Sequence, residues 1–477
     1  MKRQVNPYLP TYEYVPDGEP HVFDGRLYIF GSHDRFNGEI YCENDYVCWS
    51  ASIDDLSSWT YHGCIYQRKQ DPLEIKFLQN HLWAPDVMVG KDGRYYLYYG
   101  TEFYNRIAVC VSDSPAGKYE FLGEVHYKDG TRFGGRDGEV IRFDPGVIND
   151  NGRYYLYTGF SSDKMEWVEV HAKVKIEALG CTVCELEDDM LTIKEEAKPL
   201  IPGVGNSAGT TFVGHEFFEA SSIRKFNDTY YFIYSSILSH ELCYAYSKYP
   251  DKDFVFGGIL HSNGNVINNI PEYFYGNNHG SIECVNGKYY IFGHRQTNGN
   301  EASRQGVVEH IEYKDGKFGY AEMTCLGFSE SDLAMEGSYE AGIACVLKSN
   351  KGAFKITSVN KEIDPYITQI GEDREDNPMQ YISNFSNGCI AGYKYFDSKG
   401  GKVSLSLHIK NHNDEFVNGY LMISDNEDFS NKDEKKIECN SELIVDFELS
   451  TQKKKMPLYI KFVGEGRLDI ISLDFNK

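Results

Sequence analysis

Long helical periodicity is missing from this chain of 477 residues, which argues against a (β/α) barrel of similar size. No apolar run reaches about 18 residues, so no transmembrane helix is expected. The N-terminus, MKRQVNPYLPTYEYVPDG, starts positive but has no apolar stretch behind it. No secretory signal is therefore read, and a cytoplasmic location is expected. Basic residues are outnumbered, 48 Lys and Arg against 71 Asp and Glu, for a net charge of −23. A nucleic-acid partner would want the opposite sign. The balance suits a soluble protein acting on neutral molecules, with neither nucleic acid nor membrane as partner. Cysteines number 12, too sparse in this length for a disulfide scaffold. Cys181 and Cys184 (CTVC) are spaced like half a zinc or redox motif, but no second pair follows and the flanks look like a strand. Oligomeric state leaves no signature.

Aromatics are abundant: 37 Tyr and 28 Phe beside only 4 Trp, a bias towards pleated, half-buried surfaces. They are also periodic. VFDGRLYIFGS, VGKDGRYYLYYG, INDNGRYYLYTG, RKFNDTYYFIYSS and ECVNGKYYIFGH each place a DG, NG or ND pair between an apolar run and an aromatic strand. Such pairs tolerate the positive φ of a tight hairpin. The equivalent tyrosines Tyr28, Tyr96, Tyr155, Tyr231 and Tyr290 recur at intervals of 59–76 residues. CWSASIDDLSSWTYHG, CVSDSPAGKYEFLG and AYSKYPDKDFVFGG read as a second hairpin after a copy. Two hairpins repeated five times predict a five-bladed β-propeller.

In a propeller the first strand of each blade lines the central channel. The residues before the five aromatic hairpins are Asp17 and Glu19, Trp83 and Asp86, Asp144, Glu219, and His279. Each blade thus offers an acid or an imidazole at the same place in the repeat. Converging carboxylates suit acid and base work on a glycosidic bond, one acid holding its proton while another stays ionised. Phe217 and Phe218 make Glu219 the most apolar-flanked acid and the candidate proton donor. Asp17, in a polar stretch beside Gly18, is the better base. Some of these acids could instead cap turns or bridge blades, Asp86 above all.

These stretches resemble glycoside hydrolase family 43, inverting enzymes on a five-bladed propeller, over roughly residues 5–315. NPYLPTYEYVPDGEPHVFDGRLYIFGSHD matches the first motif and places the family base on Asp17, with Glu19-Pro20 as a shifted alternative. FDPGVINDNGRYYLYTG matches the second and makes Asp144 the counterpart of the acid that tunes the proton donor and orients the sugar. EASSIRKFNDTYYFIYSS matches the third, with Glu219 in the general-acid place. The resemblance implies an exo-acting hydrolase that removes a terminal pentose, α-L-arabinofuranose or β-D-xylose, from short oligosaccharides; with no signal read, those are expected to have entered the cell already. The alternatives are galactoside or galactofuranoside hydrolysis at the same site, or a non-catalytic sugar-binding propeller. The two catalytic carboxyls should stand roughly 6.5–9.5 Å apart. Relatives hold a His near the axis, in some cases ligating calcium through water, and His279 falls there. A lone His is more often a hydrogen-bonded structural residue, so no cofactor is required and a structural calcium is one of two outcomes. Trp83 falls on a sugar-stacking wall or in the core, and Arg295 is expected to bond the sugar or pair with Asp144. Insertions 33–47, 66–82 and 125–139 should shape the mouth, while the acidic loop 187–198 is expected mainly to meet solvent.

Residues 316–363 read as a connector. From residue 364 to 477, short strands such as QYISNF, KVSLSLHIK and LDIISLDF alternate with polar turns and Lys runs, the pattern of a β-sandwich. GYKYFD and GEGRLDIISLDF resemble family 6 carbohydrate-binding modules. Tyr381, Tyr393 and Tyr395 are the aromatics left to meet a sugar, and a structural buttress is an equal expectation.

Overall fold

The computed structural model describes residues 5–73, 79–101, 104–162, 179–266, 270–375, 378–398, 400–451 and 454–476. Its first part is five antiparallel sheets in chain order. The first comprises β1 (Glu19–Phe23), β2 (Arg26–Phe30), β3 (Tyr46–Ser52) and β4 (Asp55–Tyr66). The second comprises β5 (Leu82–Val89), β6 (Tyr95–Thr101), β7 (Tyr104–Ser112) and β8 (Glu120–Glu124). In the third are β9 (Gly146–Asp150), β10 (Arg153–Gly159), β11 (Cys181–Leu186) and β12 (Lys198–Ile201). β13 (Phe217–Phe226), β14 (Thr229–Ser236), β15 (Leu242–Ser247) and β16 (Val255–His261) form the fourth. The fifth has three strands, β17 (Ile282–Val285), β18 (Lys288–Thr297) and β19 (Asn300–His310). Every aromatic repeat is the hairpin joining a blade's first two strands. The turn pairs Asp24-Gly25, Asn151-Gly152 and Asn286-Gly287 all have positive φ, as the two-residue turn that matches strand twist requires.

Why the aromatic strands are continuous rather than alternating follows from the packing. Tyr96 and Tyr98 join an apolar cluster with Val147, Tyr154 and Leu156 of the third blade. Leu97 and Tyr99, on the other face of the same strand, join Tyr28, Phe30 and Cys48 of the first. Tyr155 and Tyr157 likewise meet Ile223, Phe232 and Tyr234, and Tyr231 and Ile233 meet Ile282 and Ile291. Each blade is therefore buried on both faces, and apolar side chains are needed at successive positions. The ring closes where Leu27, Ile29 and Val47 meet Tyr290, Phe292 and Val308 over Tyr8, Leu9 and Val15. Asn6 fastens that closure, its side-chain amide donating to the Val308 carbonyl (3.0 Å) and its Oδ1 accepting from the Val308 N–H (3.0 Å). Each large side chain in these interfaces contributes about 1.5–3 kcal/mol. Cys181 and Cys184 are buried in β11. Burial pushes both thiols up to about 12, which leaves them protonated and inert at neutral pH.

The C-terminal part forms two further sheets around one apolar core. The expected connector is part of it: Leu333–Ala334, Gly337–Glu340 and Val346–Lys348 are strands of these sheets. One of the Lys runs, KDEKK, begins the strand Lys432–Cys439 at one sheet's end. Its charged side chains suit an edge that must not pair with other chains. Tyr393 is fully buried and its hydroxyl donates to the Ala341 carbonyl. Tyr395 donates to Glu322 and carries Lys455 over its ring, while Tyr381 lies half-buried beside Lys410. The two parts are joined by polar contacts, among them an ion pair of Arg374 with Glu13 and the Asp373 carboxylate accepting from the Phe36 N–H at 2.8 Å.

Candidate active site

Each blade's inner strand has, just before it or near its start, a residue with positive φ that is not glycine: Asp17 (55°), Ala84 (31°), Asp144 (44°), Ala220 (66°) and Asn277 (37°), with Ala84 and Ala220 inside β5 and β13. Such a backbone costs about 1–3 kcal/mol per residue and persists only where its surroundings enforce it. Here neighbouring blades do so. The Ser32 hydroxyl accepts from the Ala84 N–H at 2.8 Å, and the Asp144 carboxylate accepts from the Ala220 N–H at 2.9 Å. Bulges in β5 between Trp83 and Asp86, and in β13 on both sides of Glu219, accompany these kinks. A bulge re-aims one side chain out of strand alternation. The kinks surround one cavity of about 280 Å³, lined by Asp17, Trp83, Asp144, Glu219 and His279 together with Arg304.

Asp17 is 4 % exposed. Burial by itself would raise its pKa, but the Arg304 guanidinium donates to both its oxygens (2.9 and 3.1 Å) and holds it below the usual range. Arg304 also donates to Asp34 at 2.8 and 3.0 Å, so one buried cation is fixed between two carboxylates. Glu219 is the opposite case. Its carboxyl accepts no hydrogen bond among the described residues, and the His240 Nδ1 lies 3.8 Å away. Burial, reinforced by the charge of Asp17, raises Glu219 to about 8. Asp144 is raised as well, by burial and then by Glu219 and Asp17. Between two such acids one proton is shared, and hydrogen bonding decides where it rests. Asp144 accepts from the Ala220 N–H and has the His279 Nδ1 at 3.5 Å. Glu219 has no donor, so the proton belongs on Glu219.

His279 sits on the axis, its Nδ1 4.0 Å from Asp17 and its Nε2 3.9 Å from the Oε1 of Glu19. Burial lowers it to about 4, so the ring is neutral. That Glu19 oxygen is buried without a hydrogen-bond partner, which fits a cation or water shared with His279. Among the described residues, the sets of ligand atoms close enough to share an ion are Glu19, His21 and Asp86, and His215, Glu241 and Cys243. His279 is in neither, so an ion there would lean on water. Along the rim, ring contacts run from Tyr41 to Trp83 (6.1 Å), Phe143 (5.4 Å), Phe160 (5.7 Å) and Phe218 (5.0 Å). Trp83 is half-buried, so part of its surface faces the cavity.

Two expected site residues lie elsewhere. Asp86 is fully buried and bridges blades, accepting from the Val87 N–H at 2.7 Å and the Val147 N–H at 2.8 Å and pairing with the His21 Nε2 at 2.7 Å. Arg295 points away from Asp144, donating to the Gly342 carbonyl at 2.7 Å and to Gln305 and Gln380. It fastens the propeller to the C-terminal sheets. Glu19, the alternative base, accepts from Arg224 at 2.7 Å and Ser222 at 3.0 Å and does not line the cavity. Sequence reasoning missed Arg304, Tyr41, His240, Asn277 and Lys355. The expected insertion 33–47 supplies Tyr41 and Cys42 to the wall, while 125–139 and 187–198 stay off it. Residues 74–78 of the insertion 66–82 lie outside the described residues.

The family model described as Glycosyl hydrolases family 43 matches residues 13–318. A xylosidase/arabinosidase of Thermoclostridium stercorarium is 48% identical over 413 residues, covering 84% of this chain and 84% of that protein. One from Bacteroides ovatus is 31% identical over 313 residues, 60% of this chain and 87% of its own. A solved β-xylosidase/α-arabinofuranosidase from a compost microbial metagenome, bound to xylotriose in a calcium-free form, is 28% identical at TM-score 0.52, covering 66% of this chain and 96% of that one. An arabinoxylan arabinofuranohydrolase from Bacillus subtilis, in complex with cellotetraose, is 19% identical at TM-score 0.51. It covers 99% of this chain and 97% of its own, a likeness of fold that includes the C-terminal sheets.

Proposed function

The chain belongs to glycosyl hydrolases family 43, and from that membership we infer that it is an inverting, exo-acting glycosidase releasing terminal α-L-arabinofuranosyl or β-D-xylosyl residues from plant-derived oligosaccharides. The single observation that carries this is two unlike carboxyls on one cavity: Asp17 accepts two hydrogen bonds from Arg304 (2.9 and 3.1 Å), while Glu219 accepts none among the described residues, so the first is suited to stay ionised and the second to keep a proton. A cavity of about 280 Å³ is near the low end of ligand clefts, roughly 300–1,000 Å³, and suits a terminal sugar over the interior of a long chain.

The terminal pentose rests against the aromatic rim, where Trp83 meets its C–H face. Asp17 takes a proton from a water as that water attacks the anomeric carbon. The bond to the leaving oxygen breaks on the opposite side, and Glu219 gives that oxygen its proton. Asp144 stays anionic beside Glu219 and keeps the donor's pKa high, and it orients the sugar. His279 and Glu19 would hold a calcium ion, whose part is to fix the ring of His279 and balance buried negative charge.

Nitrophenyl pentosides and galactosides, assayed with wild type, Asp17→Ala and Glu219→Ala, test this. Pentosides should be cleaved with inversion, seen by NMR of the first-formed anomer. Glu219→Ala should lose about 10²–10⁴-fold with poor leaving groups and less with nitrophenolate. Retention of configuration, or an unaffected Glu219→Ala, would refute the assignment.

A further inference from the structure

Part of the cavity wall does not come from the propeller. Lys355, Ile356 and Thr357 belong to the segment between the strands Val346–Lys348 and Tyr366–Gln369 of the C-terminal sheets, yet they line the same cavity as Asp17 and Glu219. Their placement is built in. The Tyr275 N–H donates to the Phe354 carbonyl at 3.3 Å and the Ile356 N–H donates to the Tyr275 carbonyl at 2.8 Å. Phe354 meets Phe274 edge-on at 5.1 Å, and Ile356 is buried. Gly276 allows the approach, because its φ is 156° and a Cβ there would stand 3.0 Å from Ile356 Cγ2.

Lys355 is exposed at this mouth. Two cations line the cavity among the described residues. Arg304 is committed to Asp17 and Asp34, whereas Lys355 has no ion-pair partner among the described residues. It shares the cavity wall with Glu219 and with His240, whose Nδ1 lies 3.8 Å from the Glu219 carboxylate, and its charge is felt at both groups. The proton donor must face the leaving oxygen, so the leaving group lies by this part of the wall. A neutral sugar would draw only hydrogen bonds from that ammonium, whereas a carboxylate would also be attracted by its charge. On a protein of net charge −23, anionic chains are repelled at a distance, and an unpaired lysine at the mouth offsets that repulsion locally.

Resting on the glycosidase reading above, we propose that Lys355 makes the leaving-group subsite selective for acidic oligosaccharides, in which the sugar beyond the scissile bond carries a uronic-acid carboxylate. The C-terminal part is then a component of the active site, supplying the specificity element that the propeller lacks.

The test uses a matched pair of pentosyl oligosaccharides, neutral or with glucuronic acid on the leaving sugar. kcat/KM is measured for wild type, Lys355→Met and Lys355→Arg at about 0.02 M and about 0.5 M salt, conditions under which surface charge is weakly and strongly screened. The acidic-to-neutral ratio should be about two- to fivefold higher in wild type than in Lys355→Met at low salt, the range of an exposed ion pair. Lys355→Arg should keep that advantage, and high salt should remove it. A ratio equal in wild type and Lys355→Met, or a wild-type preference indifferent to salt, overturns the proposal. Wild type cleaving neither compound would instead bring down the glycosidase assignment itself.

Discussion

Replacing Arg304 with Met tests the electrostatic logic of the site most directly. The guanidinium makes four hydrogen bonds shorter than about 3.2 Å, two to Asp17 and two to Asp34. All three residues are buried. An opposite charge at this range lowers a carboxyl by about 1–3 pKa units, equivalent to roughly 1.4–4 kcal/mol. With Arg304 gone, burial is no longer opposed and Asp17 rises by a similar amount. Catalysis needs Asp17 ionised, so the acid limb of kcat/KM should move up by about 1–3 units. Arg304 also lowers Glu219, so the basic limb, near pH 8 in the wild type, should move upward too. The whole profile shifts in one direction. Lys in place of Met retains the charge and should shift it far less. Loss of a buried ion partner costs about 3–5 kcal/mol of stability, so circular dichroism must first establish that the variant is folded at the assay temperature. A folded Arg304→Met with an unmoved acid limb on a pentoside substrate would refute the argument.

Asp86→Ala should behave as a stability variant. It leaves the Val87 and Val147 N–H groups buried without their acceptor, a loss of about 1–3 kcal/mol for each. Urea unfolding should register the loss while KM changes less than about twofold, and a large KM effect with unchanged stability would return Asp86 to the sugar site. Chelation followed by dialysis should lower the melting temperature, with calcium but not magnesium restoring it. An unchanged melting temperature together with no calcium by elemental analysis would exclude an ion at His279 and Glu19.

Periodicity made the architecture legible. Because hairpin chemistry is local, the turn pairs and the aromatic runs after them identified every blade's first two strands before any contact was known. The register of the repeat also placed Asp17, Asp144, Glu219, Trp83 and His279 at one mouth, since blades related by the propeller's rotation present equivalent positions to the same axis. Where register was not enough, depth and direction decided. Asp86 and Trp83 are three residues apart on one strand, but a bulge sends Trp83 to the cavity and Asp86 to the neighbouring blade. Arg295 and Arg304 lie on paired strands of one blade, and only Arg304 reaches Asp17.

The linear order of residues thus determined the β class, the five-fold repeat and the three acids, because each depends on patterns within a few residues of chain. It could not decide which cation sets the base, which groups surround the proton donor, or that Lys355 joins the cavity from beyond the propeller. Those depend on burial and on charges brought together across as many as 287 residues, as in Asp17 and Arg304. Electrostatic energies follow distance in space and the local exclusion of water, and neither is written along the chain.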